Sequence, residues 1–159
     1  MSSDRLAQPR RLSPVARRLS VVVPMYDEQD VLPLYVARAR PVLDGLVQSG
    51  FVESYEILLV DDGSTDRSRE VARDIGSSWN ELVLVELRRN AGQQLAIAAG
   101  LRLATGDWVV TMDVDLQDPP ELLPDLLDAA DLHHVDVFYT SRADRSSDGR
   151  LKAAAAGAY

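Results

Sequence analysis

Cysteine is absent from the 159 residues, which excludes disulfides, iron–sulfur ligation and thiolate catalysis. Long apolar runs are absent too. The longest, Leu95 to Leu101, is far short of the ~20 residues that span a bilayer, so these residues contain no transmembrane helix. No signal-peptide hydrophobic region is visible, which makes the cytoplasm the default compartment. No Gly-rich loop ends in Lys-Ser or Lys-Thr, which removes P-loop NTPases. The glycine spacing after the first apolar strand also lacks a dinucleotide fingerprint, which disfavours hydride-transfer enzymes of that kind. The two histidines, His133 and His134, are adjacent. They exclude a histidine-cluster zinc site and read as a solvated loop. Lysine is represented by Lys152 alone, and the excess of arginine speaks to codon usage more than to chemistry.

What is present suits one folded domain. Hydrophobic residues make up 46% and charged residues 26%. A chain of about 150 residues buries roughly 70% of its unfolded surface, enough for a substantial core. The net charge of −8 is unevenly spread. Residues 1–20 carry Arg5, Arg10, Arg11, Arg17 and Arg18 against Asp4, so +4 there leaves −12 on the remainder. An acidic body argues against nucleic acid as a partner. Residues 1–18 read as a basic, disordered tail, either solvated or touching anionic lipid headgroups.

From Leu19 onward, strand and helix patterns alternate. Leu19–Val23 is β-branched and predicts a strand that Pro24 stops. Asp30–Val47 predicts a helix with Val31, Leu34, Leu43 and Leu46 inward, kinked or divided at Pro41. Tyr55–Val60, nearly all apolar, predicts a strand buried on both faces. A turn at Asp61–Asp66 follows, with Ser64, Thr65 or Asp66 able to cap a helix reaching Ile75. Leu82–Leu87, Trp108–Met112 and Val135–Tyr139 predict three more strands. Helices are expected at Gln93–Ala104, after Pro119-Pro120, and at Ala153–Ala156. Trp79 and Trp108 read as packing residues. Such alternation predicts an α/β fold, a mostly parallel sheet with helices on both faces. Folds of this kind take ligands beyond the carboxyl ends of their strands.

The acids fall at those ends: Asp27 and Glu28, Asp61 and Asp62, Asp113 and Asp115. Asp113 and Asp115, at i and i+2 on a strand end, should point the same way with Val114 opposite. Two such carboxylates repel unless a cation or protons compensate, and oxygen ligands suit Mg²⁺ or Mn²⁺ shared with substrate phosphates. An Asp-rich turn after a strand is the plainer alternative. Likewise Asp61-Asp62-Gly63-Ser64 could meet a base or ribose, or be a turn in which Gly63 supplies positive φ.

Several segments recur together in one order and spacing: Val23-Pro24-Met25-Tyr26-Asp27-Glu28, Val60-Asp61-Asp62-Gly63-Ser64-Thr65-Asp66, Arg89-Asn90-Ala91-Gly92-Gln93, Thr105-Gly106-Asp107, and Met112-Asp113-Val114-Asp115-Leu116-Gln117-Asp118-Pro119-Pro120-Glu121. With these the chain resembles the family 2 glycosyltransferases of the GT-A fold. Within them it is similar to the branch of dolichol-phosphate mannosyltransferases and bacterial polyprenyl-phosphate glycosyltransferases. The Leu-Gln-Asp-Pro-Pro-Glu stretch, Ser141-Arg142, Asp144-Arg145 and Leu151-Lys152 point to that branch, and the resemblance runs over residues 19–159.

The resemblance implies a nucleotide-diphospho-sugar donor (a UDP- or GDP-sugar), a polyprenyl phosphate acceptor, and Mg²⁺ or Mn²⁺. Pro24, Tyr26 and Glu28 would line the nucleotide pocket, with Tyr26 near the base. Val60 and Asp62, with Asp61, would hold base and ribose. Asp113, the Val114 backbone and Asp115 would meet the nucleotide and metal as the catalytic centre. Gln117 would sit beside the diphosphate, and Arg142 near the donor phosphates. The anomeric centre would invert.

Two departures are local: Asp27 stands where the family usually has Asn, and Val114 where it often has Ala. The larger one is the chain's end. In this family, acceptor-side elements, amphipathic interface helices and often transmembrane helices follow the position of Tyr159. The expectation is therefore an amino-terminal part of a GT-A domain, whose full-length form sits at the cytoplasmic face of a membrane while these residues alone are soluble. Rival readings are a nucleotide-sugar-binding fragment without transferase activity and a family 2 transferase with a glycan acceptor. A phosphohydrolase of the aspartyl-phosphate type is disfavoured, because Leu116-Gln117 follows the second Asp where a Gly-Thr pair is expected.

Overall fold

A computed structural model of the chain describes residues 17–117, 119–133 and 137. The contacts divide the chain into two units, Met1–Pro120 and Glu121–Tyr159.

The first unit carries a sheet of four strands: β1 (Arg18–Met25), β2 (Ser54–Asp61), β3 (Leu82–Glu86) and β4 (Trp108–Thr111). All pairings are parallel, and the order is β3-β2-β1-β4. Parallel neighbours need crossovers, supplied by α1 (Leu32–Gln48), α2 (Ser68–Gly76) and α3 (Gln93–Leu103).

Strand alternation assigns each helix to a face. Tyr55 donates its hydroxyl to Asp44 of α1 at 2.6 Å, and Asp61 pairs with Arg69 of α2 at 2.6 Å. Both lie on the odd-numbered face of β2, so α1 and α2 cover that face. The even-numbered Val22, Leu58 and Val60 form a core with Ala96 of α3 on the opposite face. The expected α/β fold, with helices on both faces, is therefore present. Trp79 is a packing residue as read: it is buried and donates its indole N–H to the Tyr55 hydroxyl at 2.9 Å.

Three expectations need correction. Pro24 does not stop β1, which runs on to Met25. The carbonyl of Val22 accepts from Met112 beside β4, whereas that of Met25 accepts from Asp62 beside β2. Pro24, in step with Val22, thus turns its N–H-less nitrogen to the side where β4 has ended, so no ladder bond is lost there.

Pro41 does not divide α1, which is continuous across it. Pro41 and Ala37, four residues back, are both exposed, so the carbonyl deprived of its donor faces water. The buried stripe of α1 is Leu32, Tyr35, Ala39, Leu43 and Leu46, while Leu34 is 59% exposed. The spacing of the true stripe includes an aromatic and an alanine, which the leucine-and-valine pattern passes over.

The second unit, in its described part, is the rest of a 3₁₀ turn, Pro120–Leu122, and α4 (Leu123–His133). Leu123 and Leu127, one turn apart, are buried. The strand expected at 135–139 and the helix expected at 153–156 lie outside the described residues, Val137 excepted. Among the described residues no helix is long and apolar enough to cross a membrane.

Candidate functional site

In a sheet ordered β3-β2-β1-β4, successive crossovers run one way from β1 to β3. The next returns past β1 to β4. The chain therefore opens a crevice between the carboxyl ends of β1 and β4, where folds of this class take ligands. A cavity of about 400 Å³ lies there.

Three of the anticipated acidic loops meet in it. From the end of β1 come Pro24, Tyr26 and Glu28, from the end of β2 comes Asp62, and from beyond β4 come Asp113, Val114 and Asp115. The structure also adds residues that received no role from sequence, namely Met25, Asn90, Gly92 and Gln93. The last three belong to the Arg89–Gln93 segment, whose recurrence with the other motifs was the signal that could have found them.

The carboxylate pair sits differently from the strand-end picture. β4 stops at Thr111, so Asp113 to Asp115 lie in a turn where period-two alternation no longer applies. Val114 consequently lines the same cavity as its neighbours. The turn is held by the Gln117 amide, which donates to Asp115 Oδ1 at 2.9 Å, and by Leu116 in the left-handed region at φ 63°. Gln117 enters through this backbone contact and is not among the lining residues.

Asp61 and Asp62 part company. Asp61 is the last residue of β2 and Asp62 the first beyond it, and their side chains meet different partners. Asp61 is wholly buried. Its Oδ2 accepts from Arg69 Nε at 2.8 Å and Nη2 at 2.6 Å, and its Oδ1 accepts from the Ser64 amide at 2.9 Å. Every oxygen is used away from the cavity, so the structure does not bring Asp61 to the site. Val60 is likewise enclosed in the core beneath α3. Asp62 does reach the cavity, and it also accepts from the amides of Ala91 and Gly92, each at 2.8 Å. Gly63, at φ 75°, supplies the turn: a Cβ there would lie 2.5 Å from the Asn90 nitrogen.

Asp27 takes positive φ (54°), a conformation that Asp and Asn tolerate better than most residues. Its Oδ1 accepts from the amides of Thr65 at 2.7 Å and Asp66 at 3.2 Å, and its own amide donates to Ser64 Oγ. The Glu28 amide donates to Ser68 Oγ at 2.6 Å. None of the three expected residues caps α2: its N-cap is Arg67, without a side-chain cap bond, and Asp66, one residue earlier, accepts from the Ser68 amide at 2.8 Å. These bonds tie the loop bearing Tyr26 and Glu28 to the loop after β2.

The electrostatics favour a cation. Burial raises the Glu28 carboxyl above its ordinary range, and the charges of Asp115, Asp66 and Asp27 push it further the same way. Among the described residues no group of three or more His, Asp or Glu side chains forms a metal cage. A cation here would take Asp113 and Asp115, leaving its other positions to phosphate oxygens and water, as Mg²⁺ and Mn²⁺ commonly do. The donor set fits. Arg142, Asp118 and the tail before Arg17 lie outside the described residues.

Residues 20–156 match the family described as Glycosyl transferase family 2. The chain is 43% identical over 137 residues to an undecaprenyl-phosphate 4-deoxy-4-formamido-L-arabinose transferase of Aeromonas hydrophila, covering 86% of this chain and 40% of that protein. The protein of the same name from Edwardsiella ictaluri is 45% identical over 128 residues, covering 80% and 38%. The chain thus spans about two fifths of the length of these relatives. Among solved structures, a mannosyltransferase of Pyrobaculum calidifontis in complex with GDP-Man and Mn²⁺ superposes with TM-score 0.61 at 26% identity, covering 79% of this chain and 36% of that one. S. aureus TarS in complex with UDP-GlcNAc gives 0.55 at 25%, covering 75% and 32%.

Proposed function

The chain belongs to glycosyl transferase family 2, and on that footing we propose that it forms the donor-binding part of an enzyme that moves a sugar from a nucleotide-diphospho-sugar to a polyprenyl phosphate. The observation that carries the reading is the convergence of Tyr26, Glu28, Asp62, Asp113 and Asp115, scattered over 90 residues, on one crevice at the switch point of the sheet. Its likeness to undecaprenyl-phosphate transferases supports the acceptor class.

The residues divide the work. Tyr26 offers an aromatic face, 41% exposed, on which a base can stack. Asp62, beside the Gly63 turn, faces the ribose and base. Asp113 and Asp115 hold Mg²⁺ or Mn²⁺, which when bound neutralises charge on the departing nucleoside diphosphate. Glu28, crowded by Asp115, completes the acidic wall of the same space. A polyprenyl phosphate is already anionic and nucleophilic, so attack on the anomeric carbon needs no strong base from these residues. Inversion at that carbon belongs to the same reading. Gln117 and Arg142 are assigned to the diphosphate, and the membrane and acceptor contacts to the length of protein that the relatives have beyond this part.

Transfer of radiolabelled sugar from UDP- and GDP-sugars to undecaprenyl phosphate, with and without Mn²⁺, by a protein carrying these residues tests the proposal. Metal-dependent labelling of the lipid, abolished by Asp115→Ala, is expected. Labelling of a glycan but not of the lipid would replace the acceptor assignment.

A further inference from the structure

The Gln93 side chain donates its Nε2 hydrogen to Asp113 Oδ1 at 2.8 Å, across 20 residues of sequence. Asp113 lies in the turn beyond β4, whereas Gln93 opens α3 and has no place on the strand that carries the carboxylate. We propose that Gln93 is a positioning residue: it aims Asp113 at the cation, and Asp62 in turn holds Gln93 in place. The inference rests on the functional reading above and extends it to a residue with no part in it so far.

The geometry supports each link. Gly92, which precedes Gln93, has φ 93° and ψ 150°, a region essentially open only to glycine. That backbone is pinned from below, since both oxygens of Asp62 are engaged by the Ala91 and Gly92 amides at 2.8 Å. Asp62 is 3% exposed, so water does not readily replace it. The first residue of α3 therefore leaves a fixed point in a fixed direction, and its side chain spans the crevice. Asp62 follows β2 and Asp113 follows β4, strands that are not neighbours because β1 lies between them. The Gln93 bridge links the two outer walls over the end of β1.

The choice of an amide has a chemical reason. The donor must satisfy Oδ1 without cancelling the negative charge that a cation needs. Lysine or arginine in this place would neutralise the carboxylate and compete with the metal, whereas a neutral amide orients it and leaves Oδ2 and a second Oδ1 lone pair free. Partners of this kind behind a ligand commonly change metal affinity 10–100-fold when removed. The same link makes the nucleoside side of the crevice, through Asp62, mechanically continuous with the metal side.

The test is calorimetric titration of the full 159-residue chain with UDP and GDP, each with and without Mn²⁺, and with Mn²⁺ in the presence of each nucleotide. Wild type is compared with Gln93→Met, which keeps length and helix propensity but lacks the donor, and with Gln94→Met, an exposed neighbour, as control. The expected result is an Mn²⁺ Kd raised at least tenfold in Gln93→Met, with metal-free nucleotide affinity within twofold of wild type and Gln94→Met unchanged. Equal loss with and without Mn²⁺ would show that Gln93 merely shapes the cavity. Unchanged Mn²⁺ affinity in Gln93→Met, while wild type binds nucleotide and metal together, would overturn the inference alone. Absence of any Mn²⁺-linked nucleotide binding in wild type would overturn the functional reading, and this inference with it.

Discussion

Asp61 and Asp62 are adjacent and chemically identical, yet they do different things. Asp61 is wholly enclosed and satisfied by Arg69 and the Ser64 amide, while Asp62 faces the crevice. Removing the Arg69 charge strands a buried carboxylate, which is costly, whereas Arg67 and Glu70 form an exposed pair, 75% and 63% accessible, of little worth. Arg69→Met should therefore lower Tm far more than Arg67→Met, and equal effects in thermal denaturation would contradict the assignment. Asp62→Ala leaves the Ala91 amide without its acceptor and the Gly92 amide with Asn90 Oδ1 at 3.2 Å alone, at a cost of about 1–3 kcal/mol for an amide that stays dry. It should lower stability in urea unfolding as well as weaken nucleotide binding, with Asp62→Asn intermediate because it keeps one acceptor. A loss of nucleotide affinity with no change in stability would mean that the loop contacts are not formed in solution. Sequence brought both aspartates to the right strand end. It did not separate them, because the separation depends on which oxygen partners the neighbouring helix and loop supply.

The elements themselves were largely legible. α3 was expected at Gln93–Ala104 and runs Gln93–Leu103, and β2 was expected at Tyr55–Val60 and runs Ser54–Asp61. Both have strong local signals, a Gly before the helix and, in the strand, an apolar run interrupted only by Glu56. What the local pattern misses is the inward stripe of α1 and the behaviour of two prolines. Pro24 and Pro41 are tolerated because of what lies beside them, an ended strand in one case and solvent in the other, and neither is written in the local sequence. The packing of α3 makes a sharp prediction. A Cβ on Gly100 would lie 2.4 Å from Val22 Cγ1 and 3.1 Å from Val60 Cγ2. Gly100→Ala gains helix propensity of about 1 kcal/mol but overpacks the sheet face, typically at 1–3 kcal/mol. Net destabilisation is expected by chemical denaturation, and a raised denaturation midpoint would show that α3 sits further from the sheet than this.

At the scale of the whole molecule, charge and site are linked through pH. Burial works against the Glu56 carboxylate, but hydrogen bonds from Ser20 and Thr105 outweigh it and hold Glu56 below its ordinary 4.5. Asp66 is likewise held below 3.8, its burial outweighed by Ser68 and Gln29. Groups lowered in the folded state contribute stability that is present above their ordinary values and lost as pH falls through the lowered ones. Glu28 runs the other way. Its carboxyl is raised, so its ionised form is a cost at neutral pH that is relieved as pH falls through the raised value. Metal-free Glu28→Gln should therefore have a higher Tm than wild type at pH 7, with the gap closing toward pH 4. Glu56→Gln should have a lower Tm at pH 7, converging on wild type in acid. Opposite signs in a Tm–pH series would refute the electrostatic picture.

The site was legible in sequence as a set of acids at strand ends. The bridges among its loops were not, since Gln93 to Asp113 and Asp62 to Gly92 join segments 20 and 30 residues apart. The claim on which the rest depends is that the crevice between β1 and β4 takes a nucleoside diphosphate together with a divalent cation. Thermal stabilisation of this chain by UDP and GDP, with and without Mn²⁺, in wild type and Asp115→Ala, tests it most directly. Saturation at 100 times Kd should add about 2.7 kcal/mol. For at least one nucleotide, Mn²⁺ should enhance the stabilisation in wild type and not in Asp115→Ala. Stabilisation by neither nucleotide, or an identical Mn²⁺ effect in Asp115→Ala, would contradict the account.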